Sequence, residues 1–310
     1  MRWTETDMPS LDGQVWVVTG ANSGVGLATT TALASKGAHV VMACRTPSKA
    51  EGAASGVRVK VPGAKLELRT LDLASLASVQ RFAAELTERH PVLHGLINNA
   101  GLMAPPRAKT ADGFELQMGT NHLGHFALTL RLLPALERSP APRVVTVSSS
   151  AHTSAKLDVD DLMMERSYSA VRGYSNSKLA NLLFTAGLAR RLAAARMKTL
   201  TAASHPGYAD TGLPGATARS WGSRVAEWAT QLGGVLLAQS AEMGALPSLY
   251  AATSSAVRAG DYIGPDGLGT MRGWPTTLKR SAAASDAQLA ERLWALSEQL
   301  TGVTFPQLPA

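Results

Sequence analysis

The sequence predicts one doubly wound α/β domain, with a parallel sheet of about seven strands and helices on both faces. Three observations predict it. Short apolar runs alternate with longer amphipathic segments along the 310 residues, and β-α alternation implies parallel strands joined by helical crossovers. The apolar runs are rich in Val and Leu without alternating, as strands buried on both faces must be. The first run leads directly into a glycine-rich turn that opens a helix.

In chain order, strands are expected at residues 14–19, 39–44, 65–71, 93–98, 143–148 and 199–204, with a seventh near 261–264. Helices are expected between them at 26–36, 47–57, 75–89, 114–136 and 175–196. A last helix is marked by Ser285 and Gln288, which read as an S-x-x-Q capping box. Leu289, Leu293, Leu296 and Leu300 then repeat on one face, and Gly302 reads as the stop. Segments 206–219 and 264–280 carry several Gly and Pro and read as loops. No repeat or linker divides the chain, so residues 1–310 read as one domain.

Composition narrows the function classes. Hydrophobic residues make up 45% and charged residues 17%, as in ordinary globular proteins. Cys44 is the only cysteine, so an intrachain disulfide is excluded. The first ten residues contain no apolar signal core, and no stretch of 18 uncharged apolar residues occurs, so a cytoplasmic protein without a membrane span is expected. The net charge of +7 is scattered without basic runs, so nucleic acid is not expected as a partner. A homo-oligomer is compatible with the sequence.

The turn after the first strand reads Thr19-Gly20-Ala21-Asn22-Ser23-Gly24-Val25-Gly26. Glycines here permit the tight turn, let backbone amides approach a pyrophosphate and let the helix pack close to the sheet. The helix N-terminus then offers free N–H groups to the phosphates. At the end of the second strand, where a carboxylate would hold the ribose 2′-hydroxyl of NAD, the chain has Arg45. A guanidinium suits a 2′-phosphate, so NADP(H) is the expected cofactor. Asp72 and Leu73 end the third strand, where an adenine edge would lie. Asn98, Asn99, Ala100 and Gly101 end the fourth, also at a carboxyl edge where ligands bind.

The candidate catalytic residues fall behind this cofactor site. Tyr174 and Lys178 are four apart at a predicted helix start, which puts them on one face. A phenol titrates near pH 10 and is a poor base at neutrality, but a nearby ammonium and an oxidised nicotinamide favour the phenolate. Ser149 ends the fifth strand, where its hydroxyl can hold a substrate oxygen beside Tyr174. Ser148 and Ser150 are rivals, because strand alternation opposes Ser149 to its neighbours without saying which face is the site. Asn121 opens the segment Asn-His-Leu-Gly-His-Phe, and an amide there can bind a water that contacts Lys178. Tyr168 is a poorer rival to Tyr174, since Arg172 stands in place of the lysine. His122 and His125 are spaced like metal ligands, but no Cys cluster or H-E-x-x-H accompanies them, so packing is expected and no metal site.

In combination and in order, the turn from Thr19 to Gly26, Asn98 to Gly101, Ser149, Tyr174, Lys178 and Pro206-Gly207 resemble the short-chain dehydrogenase/reductase family. The resemblance spans residues 11–301. Ala43-Cys44-Arg45, residues 121–126, Tyr174 to Asn181 and His205-Pro206-Gly207 narrow it to the retinol-dehydrogenase-like branch, which includes WW-domain-containing oxidoreductases and bacterial relatives. That resemblance implies NADP(H), a lipophilic carbonyl or alcohol substrate and the tetrad Asn121, Ser149, Tyr174, Lys178. It also implies that Pro206, Gly207 and Thr211 lie at the nicotinamide end of the cofactor, and that Lys178 holds the nicotinamide ribose. Membrane-bound retinol dehydrogenases carry an apolar N-terminal anchor that this sequence does not show. Its long stretch between Ser149 and Tyr174 is shared by the branch.

The expected function is NADP(H)-dependent interconversion of a carbonyl and an alcohol, with Tyr174 as general acid and base. Two alternatives are a reductase of conjugated C=C bonds, like the protochlorophyllide reductases, and a silent NADP-sensing regulator. The intact set of Ser149, Tyr174 and Lys178 argues against the regulator. Residues 206–237 follow the sixth strand and carry several glycines, with Leu213, Trp221, Val225, Trp228 and Leu232. They are expected to form a segment that covers a bulky apolar substrate.

Overall fold

The computed structural model describes residues 2–208 and 239–307. Eight strands form one sheet in the order β3-β2-β1-β4-β5-β6-β7-β8. They are β1 (Val15–Thr19), β2 (His39–Cys44), β3 (Lys65–Thr70), β4 (Gly95–Asn98), β5 (Arg143–Val147), β6 (Leu200–Ser204), β7 (Tyr262–Pro265) and β8 (Pro275–Thr277). The first seven are parallel, and β8 pairs antiparallel with β7. The order reverses between β1 and β4, and that switch point opens a crevice at the carboxyl ends of the strands.

The helices are α1 (Gly24–Ser35), α2 (Pro47–Lys60), α3 (Leu76–Arg89), the single turn α4 (Leu116–Met118), α5 (Gly124–Leu136), α6 (Ala170–Ala194), α7 (Ala241–Thr253) and α8 (Ala287–Thr301). Both faces of the sheet are covered. Trp16, Val18, Val40 and Met42 pack with Leu33 of α1 and Leu249 of α7. Val17, Val41 and Leu96 pack on the other side with Phe82, Phe126, Phe184 and Trp294. Successive residues of β1 thus enter opposite cores, which is why its sequence shows no alternation. No helix among the described residues is long and apolar enough to cross a membrane.

Several sequence expectations need correction. The helix expected at 114–136 is interrupted by a π-helical turn, Gly119–Leu123, between α4 and α5. This segment passes close to its neighbours. A Cβ on Gly119 would sit 2.4 Å from Thr110 Cγ2, and one on Gly124 would sit 2.4 Å from the Leu73 carbonyl oxygen. The helix expected from residue 175 starts at Ala170, because Ser169 Oγ caps the amide of Arg172. Helix α7 had no periodic signal: it contains Pro247 and buries apolar residues on several sides. Segment 264–280, expected to be loop, contains β8. The N-cap of α8 is Asp286, whose carboxylate accepts from the Leu289 amide, not Ser285 of the expected capping box. Gly302 does end α8, in the left-handed conformation.

Candidate active site

The glycine turn joins β1 to α1 under tight steric limits. Gly20 has φ +65° and Gly24 φ +51°, which favour glycine. A Cβ on Gly26 would lie 2.3 Å from the Gly20 carbonyl oxygen and 2.4 Å from Asn99 Nδ2. Only a bare Cα lets the helix come this close. Asn99 Nδ2 in turn donates to the Thr19 carbonyl oxygen at 2.8 Å. Ser23, the N-cap of α1, makes no side-chain cap hydrogen bond. The first amides of α1 are therefore left without a capping side chain at the mouth of the crevice, the arrangement a phosphate fills.

The crevice is a cleft of about 960 Å³. Its walls carry Gly20, Asn22, Ser23, Gly24, Val25 and Gly26 from the turn, with Arg45 after β2. Asp72 and Leu73 come from the end of β3, Ala100 and Gly101 from the end of β4. Ser149, Tyr174, Lys178, Pro206 and Gly207 line it as well. Arg45 is exposed, and no acidic residue stands beside it at the end of β2. These features fit a dinucleotide with an additional anionic group.

Thr19 and Asn98, also expected at the cofactor, do not line the cleft. Thr19 is fully buried, and its hydroxyl accepts from the amides of Asn99 and Ala100, each at 2.9 Å. It ties the end of β1 to the loop after β4. Asn98 Nδ2 donates inward to Thr129 Oγ1 at 2.8 Å. Both residues brace the walls. Thr211, Leu213, Trp221, Val225, Trp228 and Leu232 of the expected covering segment lie outside the described residues. Wall residues that the sequence reading passed over include Leu102, Met103, Val147, Tyr208 and Met271. The side chains of Leu102, Met103, Val147 and Met271 carry no distinctive chemistry, and Tyr208 lies inside the segment expected to cover the substrate.

The three serines after β5 all line the cleft but differ in burial and bonding. Ser148 is buried and donates to the Lys178 carbonyl oxygen at 2.7 Å. Ser150 is exposed. Ser149 lies between them, half-buried, with its Oγ accepting from the Ala151 amide at 3.2 Å. Burial raises the Tyr174 phenol above its ordinary pKa, an effect the Ser149 hydroxyl partly offsets. The Lys178 ammonium and an oxidised nicotinamide act in the opposite direction once the cofactor is bound. Desolvation dominates here, and it keeps the phenol neutral at pH 7, the form that donates a proton.

Lys178 is 4% exposed and its ammonium lies 5.7 Å from the centre of the Tyr174 ring. It donates to the Val147 carbonyl oxygen at 3.1 Å, and burial pulls its pKa down to about 8. The side-chain amide of Asn121 bonds to protein partners. Oδ1 accepts from the Leu102 amide at 2.8 Å, and Nδ2 donates to the Leu102 carbonyl oxygen at 3.0 Å and to Ser177 Oγ at 2.9 Å. Asn121 therefore clamps the cleft-wall loop to α6. The rival Tyr168 is also occupied, donating to the Pro105 carbonyl oxygen at 3.3 Å. His122 and His125 are buried and bond in different directions, to Ser297 Oγ and Thr19 Oγ1, each at 2.9 Å.

A doubly wound sheet with a glycine cradle and a Ser–Tyr–Lys cluster at its switch point has the construction of a nucleotide-dependent oxidoreductase. Residues 14–220 match the family model described as short chain dehydrogenase, and the chain belongs to that family. Within the family its likeness is to retinol dehydrogenases. Retinol dehydrogenase 13 from Homo sapiens is 40% identical, over 96% of this chain and 88% of its own. Retinol dehydrogenase 12 from Homo sapiens is 41% identical, over 95% of this chain and 88% of its own. Among solved structures, an uncharacterized protein from Mycobacterium Paratuberculosis is 43% identical, with a TM-score of 0.82, covering 99% of this chain and 100% of that one.

Proposed function

We propose that this oxidoreductase interconverts a lipophilic aldehyde or ketone and its alcohol with NADP(H), using Tyr174 as general acid and base. One observation carries the reading: Ser149, Tyr174 and Lys178 converge on the same cleft as the glycine turn and Arg45. The bound nicotinamide supplies or accepts the hydride. The glycine turn and the first amides of α1 hold the pyrophosphate, Arg45 the 2′-phosphate, and Asp72 and Leu73 the adenine side. Lys178 holds the nicotinamide ribose, and Pro206 and Gly207 flank the nicotinamide end, with Thr211 the remaining candidate there.

Ser149 Oγ donates a hydrogen bond to the carbonyl oxygen of the substrate. The neutral Tyr174 hydroxyl gives that oxygen a proton as negative charge develops on it. The Lys178 ammonium then stabilises the phenolate left behind. In the oxidative direction the same groups act in reverse. Leu102, Met103 and the 57% exposed Val171 offer apolar wall to the substrate, which supports a lipophilic class.

NADPH and NADH consumption with a panel of aldehydes, ketones and enones tests the reading. Turnover of long-chain aldehydes with NADPH is expected. Turnover of enones alone would replace it with C=C reduction, and no turnover despite tight NADPH binding would favour a regulator. A charge-assisted hydrogen bond from Arg45 contributes about 1.5–3 kcal/mol. Arg45→Ala is accordingly expected to weaken NADPH about 10- to 150-fold and leave NADH nearly unchanged. Equal wild-type affinities for the two cofactors would refute the NADP(H) assignment.

A further inference from the structure

We propose that His39, Glu67 and His90 form a divalent transition-metal site, of the two-imidazole, one-carboxylate kind that suits Zn²⁺, away from the cleft at the β3 edge of the sheet. The three residues come from three elements: the first position of β2, the middle of β3 and the C-cap of α3. Both imidazoles aim Nε2 at one oxygen, Glu67 Oε2, at 3.2 Å from His39 and 2.7 Å from His90. One ligand atom from each residue lies within 4.8 Å of the other two. Zinc bonds these atom types at about 2.0–2.2 Å in tetrahedral sites, which places ligand atoms roughly 3.3 Å apart. The two imidazole–carboxylate separations are near that value, so the triad approximates a face of such a tetrahedron.

The remaining oxygen of the carboxylate is held by other groups. Glu67 Oε1 accepts from Arg69 Nε at 2.5 Å, with Arg89 Nε 3.7 Å away. These contacts orient Oε2 toward the imidazoles, as partners behind a metal ligand do. The two guanidinium charges also repel a dication, so micromolar affinity is expected, weaker than that of thiolate sites. The His39 side chain is 34% exposed, against 15% and 16% for His90 and Glu67, so the fourth position faces solvent on its side. The ligands are 28 and 23 residues apart in sequence, which is why no spacing motif reveals them.

The competing account is a hydrogen-bonded ion-pair cluster that takes no metal. Calorimetric titration of tag-free protein with Zn²⁺ separates the two. One equivalent is expected to bind with micromolar Kd, and Co²⁺ is expected to give visible bands of tetrahedral intensity in the wild type. His39→Gln and His90→Gln are each expected to raise the Kd at least tenfold, while His94→Gln leaves it unchanged. NADPH affinity is expected to be the same with and without the metal. The Co²⁺ spectrum decides even if one variant fails to fold. No stoichiometric Zn²⁺ uptake, an octahedral Co²⁺ spectrum, or variants that bind as tightly as wild type would overturn the proposal.

Discussion

At the scale of residues, the cost of the site is concentrated in Lys178. Its ammonium is buried with one backbone acceptor, and its pKa falls to about 8 from near 10.5. Between those values the unfolded chain holds the proton that the folded chain has released, so stability rises with pH across this window. The rise is on the order of 3 kcal/mol. Below about pH 8 both states are charged, and the folded protein bears the full burial penalty. Lys178→Met is therefore expected to raise the melting temperature of the cofactor-free protein at pH 7 while abolishing turnover. Its stability advantage over wild type should shrink from pH 8 to 10.5. A variant less stable than wild type at pH 7 would contradict this account.

Residues also mark where sequence reasoning stops. Tyr174, Lys178 and Arg45 were legible because spacing and register behind the glycine turn made their chemistry specific. Ser148 and Ser149 were not separable, because alternation orders a strand without naming its faces; the bond from Ser148 to the Lys178 carbonyl oxygen distinguishes them. Thr19 and Asn98 stood inside ligand-like motifs, yet their side chains turn inward to bonds with partners far away in sequence. The bonds of Asn121 to Leu102, 19 residues away, leave no mark in the sequence.

At the scale of elements, strands were the most legible. The expected span of β2 matches the observed one, since Val40 to Cys44 form an unbroken buried apolar run between His39 and Arg45. Helix α7 had no such mark. Its packing against α1 and its internal Pro247 hide any amphipathic period, so tertiary contacts define it. The approach of α1 to the turn is the element-level feature on which the proposed cofactor site rests. Gly26→Ala would force a methyl to 2.3 Å from the Gly20 carbonyl oxygen. Such overpacking typically costs about 1–3 kcal/mol. The variant is expected to melt at a lower temperature and to bind NADPH at least tenfold more weakly. Unchanged NADPH affinity in titrations would show that the cradle is not the phosphate site.

At the scale of the whole molecule, the fold makes two halves meet. Strands β1 to β3 with α1 present the glycine turn, Arg45 and Asp72. Strands β4 to β6 with α6 present Gly101, Ser149, Tyr174 and Lys178. The switch point between β1 and β4 brings the two sets to one cleft, which neither half could form alone. The central claim is that Tyr174 protonates a carbonyl oxygen while hydride reaches the carbonyl carbon. The direct test follows deuterium from NADPH labelled at the nicotinamide C4 position into the product of a long-chain aldehyde, with wild type and Tyr174→Phe. The account predicts deuterium on the alcohol carbon for wild type. For Tyr174→Phe it predicts a rate lower by about 10²- to 10⁴-fold with NADPH affinity nearly unchanged. Deuterium elsewhere in the product, or a Tyr174→Phe rate near that of wild type, would contradict it.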